Sequence, residues 1–228
     1  MTAQRGALVV LEGAEGVGKS TQACRLADSL RRQGIATTQV REPGGTELGD
    51  EVRRLVLDSQ YRIDPSSEAL LFMASRAQLV ADVIRPALGR GELVLADRFL
   101  LSTYAYPVFG RGLPESEVRS ANRLATADLV PALTILLTLP IEESLARMRA
   151  RPGNGPDRIE QADAEFHLRV ARAFRDFVRP AWQSNHPEAG RIVAVEAAGT
   201  EEEVTQRILA VMDIELRAAI MLEKGSNQ

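Results

Sequence analysis

The sequence predicts an α/β fold, a five-stranded parallel sheet sandwiched between two layers of helices. Three observations carry this. Short apolar runs recur along the chain, and helical patterns separate them. The runs are nearly continuous rather than alternating, as in strands covered on both faces. A glycine-rich turn joins the first run directly to a helix. Strands that alternate with helices require parallel crossovers, which place helices on both sides of the sheet.

The elements follow in order. Ala7–Leu11 reads as the first buried strand. After the glycine turn, Ala23, Leu26, Ala27 and Leu30 share one helix face, and Gly34 stops that helix. Ile35–Val40 is the second strand, Arg41–Thr46 a glycine-rich loop, and Leu48–Leu57 a helix with Val52, Leu55 and Val56 in register. Pro65 opens a long helix to about Leu88, with Pro86 expected to kink its end. Leu93–Ala96 is the third strand and ends at Asp97-Arg98. Helical pieces are expected at Leu101–Tyr106 and Pro114–Ala127, a strand at Leu133–Leu139 and a helix at Ile141–Ala150. An arginine-rich segment with prolines and glycines follows, then a helix from Ile159 to about Trp182. A short strand at Ile192–Val195 and a helix from Glu201 to about Leu222 complete the pattern, and Lys224–Gln228 reads as a frayed tail. No linker or repeat divides the 228 residues, so one domain is expected.

Composition narrows the partners. The chain is 45% hydrophobic and 26% charged, with a net charge of -3, which gives no general attraction for nucleic acid or anionic membrane. No apolar run approaches the roughly 18 residues of a membrane span, and the N-terminal apolar run stops at Glu12 without a cleavage site. The single cysteine, Cys24, cannot form an intrachain disulfide. The expected location is the cytoplasm. Cys24 is expected to pack on its helix. His167 and His186 have no ligand partners at metal spacing and are expected at the surface, while Trp182 anchors the helix it ends.

The run Gly13-Ala14-Glu15-Gly16-Val17-Gly18-Lys19-Ser20 fits G-x-x-x-x-G-K-[ST] between a strand and a helix. Its glycines let backbone N–H groups turn toward phosphate oxygens, and the helix N-terminus adds partial positive charge. Lys19 suits the β- and γ-phosphates of a nucleoside triphosphate, and the Ser20 hydroxyl suits Mg2+. This makes the α/β fold a P-loop NTPase three-layer sandwich. Asp97-Arg98 closes a strand at the sheet edge where ligands gather. Asp97 suits the shell of Mg2+, and Arg98 suits a phosphate and its transition state.

Five segments in this order resemble the thymidylate kinase family. They are Glu12–Thr21, Arg41–Thr46, Leu71–Gln78, Asp97–Tyr106 and the arginine-rich Arg147–Glu160. The resemblance covers nearly the whole chain up to the last helix. It implies ATP-dependent phosphorylation of dTMP with Mg2+, and a homodimer. It also implies roles. The phosphate loop through Thr21 holds ATP, with Glu15 facing the deoxyribose 3′-hydroxyl. Glu42 and Pro43 line the acceptor pocket, Phe72 stacks on thymine, and Arg76 presents its fork to the base and phosphate side. Ser102, Thr103 and Tyr106 surround the base edge and sugar, Tyr106 excluding a 2′-hydroxyl.

Some relatives carry an arginine inside the phosphate loop, where this chain has Gly16. The resemblance then assigns the missing charge to a basic lid, about residues 147–160, through Arg147, Arg149, Arg151 and Arg158. Arg151 and Arg158 are the catalytic candidates beside Lys19 and Arg98. Departures from the family pattern are Phe99 where tyrosine is usual, Pro107 where glutamine is frequent, and Leu137–Pro140 without an acidic residue. Phe99 is expected to pack.

Two other classes are weighed. A deoxynucleoside kinase would need a carboxylate base, a role open to Glu42. A switch or hydrolase of the GTPase type would need Asn-Lys-x-Asp and Asp-x-x-Gly, and neither occurs in the chain.

Overall fold

The computed structural model describes residues 6–150 and 157–225, with side chains to residue 216. Five parallel strands form one sheet in the order β2-β3-β1-β4-β5. They are β1 (Ala7–Glu12), β2 (Thr37–Arg41), β3 (Leu93–Asp97), β4 (Leu133–Thr138) and β5 (Ile192–Glu196). Register places Leu11 beside Asp97 and Arg41 beside Asp97 on its other flank. The carboxyl ends of β1, β2 and β3 therefore meet at one edge.

Strand side chains alternate between two cores. Leu8, Val10, Val94 and Ala96 pack with Leu79, Ile84, Tyr104, Phe166, Phe174 and Phe177 on one face. Val9, Leu11, Leu95, Leu133 and Ile135 pack with Leu26 of α1 (Lys19–Arg32) and with Val204, Ile208 and Met212 of α10 (Glu201–Gly225) on the other. This explains why β1 reads as an unbroken apolar run. Each face of β1 is buried, and its carboxyl end leads into the site.

Several element boundaries differ from expectation, each for a local reason. β2 begins at Thr37, because Ile35 donates its N–H back to Leu30 and stays exposed. α2 is Glu47–Leu57, capped by the Thr46 hydroxyl on Gly49 N–H. The long helix from Pro65 is α3 (Pro65–Leu79), a π-helical turn (Val80–Ile84) and α4 (Arg85–Gly89). Pro86 has no N–H for the carbonyl four residues back, and the wider turn sits just before it. Pro107 similarly lies inside a π-helical stretch, Tyr104–Gly110, which continues α5 (Leu100–Thr103). α6 (Glu115–Thr126) precedes β4, and α7 (Ile141–Ala150) follows it.

The expected helix Ile159–Trp182 is divided. Asp163 accepts from Phe166 N–H at 2.7 Å and starts α8 (Ala164–Phe177), and Pro180 opens α9 (Pro180–Asn185). The tail residues 226–228 lie outside the described residues. His186 is buried rather than at the surface. Its ring stacks on Trp182 at 3.9 Å, and its nitrogens meet Trp182 O at 2.8 Å and Glu115 Oε1 at 2.9 Å. Cys24 is exposed rather than packed, with Gln39 Nε2 3.4 Å from its sulfur. Among the described residues, no helix is long and apolar enough to cross a membrane.

Candidate active site

A cavity of about 1260 Å³ runs along the carboxyl edge of the sheet. The phosphate loop lines it from Glu15 to Thr21. Gly13 and Ala14 stand behind that lining, and their carbonyls accept from Lys19 Nζ at 2.9 and 2.7 Å. Gly18 sits at φ 92 and opens α1, so the loop N–H groups and the helix N-terminus face the same space. Lys19 is buried, and burial followed by the Arg98 charge lowers its pKa to about 8. Glu15, Asp97 and Glu12 oppose that shift.

Ser20 Oγ donates to Asp97 Oδ2 at 2.5 Å. The other carboxylate oxygen, Oδ1, is buried with no hydrogen-bond partner among the described residues. A hydroxyl and an unsatisfied carboxylate oxygen in contact form a donor set that fits a hard cation such as Mg2+.

Arg98 reaches from the phosphate loop to the turn after β3. Nη2 meets Glu15 Oε1 at 2.5 Å, Nη1 donates to Ser102 Oγ at 3.0 Å, and the guanidinium lies 5.1 Å from the Tyr106 ring centre. Burial alone would lower its pKa, but Glu15, with Asp97 and Glu12, holds it above the ordinary guanidinium value. Tyr106 also donates to Glu15 Oε1, at 2.9 Å. Burial, with Glu15 beside it, raises the phenol pKa well above 10 despite Arg98, so the hydroxyl stays a donor.

Phe72, half-buried, lines the cavity with Glu42, Pro43, Arg76, Ser102, Thr103 and Tyr106. Glu42-Pro43 is a cis peptide, and Glu42 N–H donates to Asp97 O at 3.0 Å. Arg76 differs from the expectation of a fork offered to a ligand. Nε meets both oxygens of Glu42 at 2.9 and 2.8 Å. Nη1 meets Thr103 and Asn122, and Nη2 meets Glu42 and Phe99 O. A guanidinium has five N–H groups, and these partners engage all of them. Arg76 thus ties α3, the residue after β2, α5 and α6 together. Phe99 packs as expected, fully buried with the Arg76 guanidinium 4.9 Å from its ring centre. Burial raises the Glu42 pKa, and Arg76 works against the shift.

The four arginines expected to form a lid divide. Arg147 lines the cavity and is held by Glu143 Oε1 at 2.6 Å and Ala197 O at 3.1 Å. Arg149 is exposed and does not line it, because two residues on a helix turn about 200°. Arg151 lies outside the described residues. Arg158 is not among the lining residues either. It donates from Nε to Val56 O at 2.8 Å and pairs with Glu68, and its own N–H meets Leu57 O at 3.1 Å. Its side chain clamps the chain at residue 158 to α2 and α3.

Two residues in this region went unmarked in the sequence. Arg53 lines the cavity with its Nη1 3.2 Å from Pro43 O. Its signal was its place on the helix that follows the Arg41–Thr46 loop. Asn122 comes from α6 and had no local signal at all.

A family model described as thymidylate kinase matches residues 11–208, most of the chain. The chain belongs to the thymidylate kinase family. It is 45% identical over 208 residues to the thymidylate kinase of Deinococcus radiodurans, covering 91% of this chain and 97% of that protein. It is 44% identical over 212 residues to that of Synechococcus sp. strain JA-3-3Ab, covering 93% and 98%. A third relative, the thymidylate kinase of Leifsonia xyli subsp. xyli, is 44% identical over 213 residues, covering 93% and 97%. Every residue that lines the cavity, from Glu15 to Val204, falls within the span that the family model matches.

Proposed function

We propose that the protein transfers the γ-phosphoryl group of ATP to dTMP, giving ADP and dTDP. The observation that carries this reading is one continuous cavity with a phosphate loop at one end and an aromatic, carboxylate-lined pocket at the other. Two nucleotides enter end to end in such a space, their phosphates meeting near Lys19 and Arg98. Thymidylate kinase relatives covering almost the whole chain support the choice of substrates.

A phosphate oxygen of dTMP attacks the γ-phosphorus while the bond to the β,γ-bridging oxygen breaks, and ADP leaves. That oxygen is already anionic, so no strong base is required. The chain's part is position and positive charge. The loop N–H groups and Lys19 hold the donor phosphates. Arg98, fully charged, stands between donor and acceptor, and Arg53 is a second cation on the acceptor-phosphate side. Ser20 and Asp97 would hold Mg2+, which when bound neutralises charge on the β- and γ-phosphates. Arg147 lines the ATP end, and Arg151 is the lid cation we assign to the transferring group.

On the acceptor side Phe72 gives a flat face for thymine. Glu15, oriented by Arg98 and Tyr106, accepts from the 3′-hydroxyl, and Tyr106 closes the space that a 2′-hydroxyl would need. Ser102 and Thr103 complete the wall. Glu42 is occupied on both oxygens by Arg76, which weighs against a free base and so against a thymidine kinase.

We also propose a homodimer. Leu48 and Leu55 of α2, Leu70 of α3 and Leu124 of α6 are exposed, 61% for Leu70 and 83% for Leu124, and α3 packs on both other helices. Sedimentation of the wild type and of Leu70→Glu tests it, with a monomeric wild type counting against it. The expected setting is the cytoplasm, checked by fractionation.

An acceptor screen over nucleoside monophosphates, with thymidine included, tests the function. dTMP-dependent ADP release supports it. Activity on thymidine alone, or hydrolysis indifferent to dTMP, overturns it.

A further inference from the structure

Glu12 ends β1 immediately before the phosphate loop and is fully buried. Nothing in phosphate binding requires a carboxylate there, since a phosphate would repel it. Its oxygens are turned away from the loop. Oε1 accepts from Phe99 N–H at 2.9 Å and from Ser102 N–H at 3.0 Å, and Oε2 accepts from Ser102 Oγ–H at 2.7 Å. The two N–H groups belong to the first turn of α5 and its flank, so the carboxylate caps a helix from another strand.

That turn begins at Arg98, which has φ 73. A non-glycine residue keeps the left-handed conformation only where its surroundings over-determine it. Two anchors do so here. Arg98 N–H donates to Leu11 O at 2.9 Å, next to Glu12 in β1, and Glu12 fixes residues 99–102 on the other side. The side chain is fixed by the same group. Ser102 spends its proton on Glu12, so its lone pairs face Arg98 Nη1, 3.0 Å away. A carboxylate–hydroxyl–guanidinium chain thus runs from the root of the phosphate loop to the cation between the two substrates.

We infer that Glu12 is a positioning residue for phosphoryl transfer, holding Arg98 in place through the Phe99–Ser102 turn and the Ser102 hydroxyl. The inference rests on Arg98 acting between donor and acceptor. Glu12→Gln is the sharp test, because it keeps size and can still accept both N–H groups. Its amide NH2 faces Ser102 Oγ as a donor, so Ser102 accepts from both it and Arg98 and its own proton loses the acceptor that fixed its orientation.

The expected result is a kcat lower by on the order of 10- to 100-fold, the scale of a misplaced catalytic group. The ATP dissociation constant and the thermal midpoint should stay near wild type. The deciding readout is a double-mutant cycle with Arg98→Ala. A residue that acts through Arg98 has little further effect once Arg98 is gone, so the two losses should not multiply. Multiplying losses overturn the inference, as does wild-type kcat in folded Glu12→Gln. If Glu12→Gln does not fold, Glu12→Asp, which keeps the carboxylate but shortens its reach to Ser102, takes its place in the same cycle, with the same expected and overturning results. A failure of the functional reading is distinguishable, because the wild type itself would then not phosphorylate dTMP.

Discussion

Gly16 packs bare against the backbone of Ser144. A Cβ at residue 16 would lie 3.0 Å from the Ser144 carbonyl carbon and 3.3 Å from Met148 N, and closer still to the Ser144 oxygen. The Ser144 hydroxyl also donates to Glu15 O, so α7 grips the crest of the phosphate loop from outside. Gly16 has φ 77 in addition, a conformation other residues adopt at a cost. An arginine at this loop position is therefore excluded by the packing of α7, and the charge it would bring must come from elsewhere.

The first prediction follows from that contact. Gly16→Ala should destabilise the fold by about 1–3 kcal/mol from backbone conformation alone, with the clash adding to it. Gly16→Arg should likewise lower turnover and should not rescue Arg151→Ala. Thermal unfolding and steady-state rates of the three variants check this. An arginine at 16 that restored activity would mean that α7 yields readily.

Lys19 gives a pH signature. Its pKa of about 8 in the free protein arises chiefly from burial, then from Arg98. On the proposed reading the negative phosphates of ATP would stabilise the ammonium and raise that value. Binding near pH 8 to 9 should therefore take up a proton, and ATP affinity should fall as pH rises through about 8. Titration calorimetry in buffers of different ionisation enthalpy measures the uptake, and Lys19→Met should abolish it. The same shift acts on stability. The folded state holds this proton less tightly than the unfolded chain, so from this group stability rises with pH between about 8 and the ordinary lysine value.

What the sequence made legible was local. The apolar run of β1 and the glycine spacing after it lie within fourteen residues, and they specify both a buried strand and a phosphate cradle. Asp97-Arg98 was readable because a strand end is a place where ligands collect. The partners of Arg76 were not readable. Glu42, the Phe99–Thr103 turn and Asn122 come from three different stretches of chain, and helix periodicity shows only that Arg76 shares a face with Phe72. The clamp of Arg158 on Val56 and Glu68 is hidden for the same reason. The π-helical turns escaped because proline announces an interruption without saying that the helix will widen and continue.

Arg76 and Glu42 form a buried pair, 2% and 4% exposed at their side chains. Removing one partner of such a pair leaves a buried charge, which typically costs about 3–5 kcal/mol. Arg76→Met should show that loss, and Arg76→Met with Glu42→Gln should recover part of it. In the single variant the Glu42 carboxyl loses the guanidinium that opposed the effect of burial. Its folded pKa then rises further above the unfolded one. Stability of Arg76→Met should therefore fall more steeply than wild type as pH rises above the ordinary carboxylate range. Chemical denaturation across pH 4 to 8 measures the slope, and parallel curves would show that Arg76 does not set the ionisation of Glu42.

The lid arginines should separate by the kind of loss they cause. Arg158 is held by Val56 O and by Glu68, which also accepts from Arg111 at 3.3 and 3.4 Å. Arg158→Ala releases one end of the lid segment from α2 and α3 and leaves the nearly buried Glu68 with a weaker partner. Its expected effects are a lower thermal midpoint and a lower kcat together. Arg151→Ala removes charge from the opposite end of the segment. It should lower kcat by on the order of 10- to 1000-fold, the range for loss of a group that stabilises transition-state charge, while dTMP affinity changes little. Single-turnover rates with equilibrium binding of dTMP distinguish the two. If both variants kept wild-type turnover, the charge that Gly16 cannot supply would have to come from the cations that line the cavity, Lys19, Arg53, Arg98 and Arg147 among them.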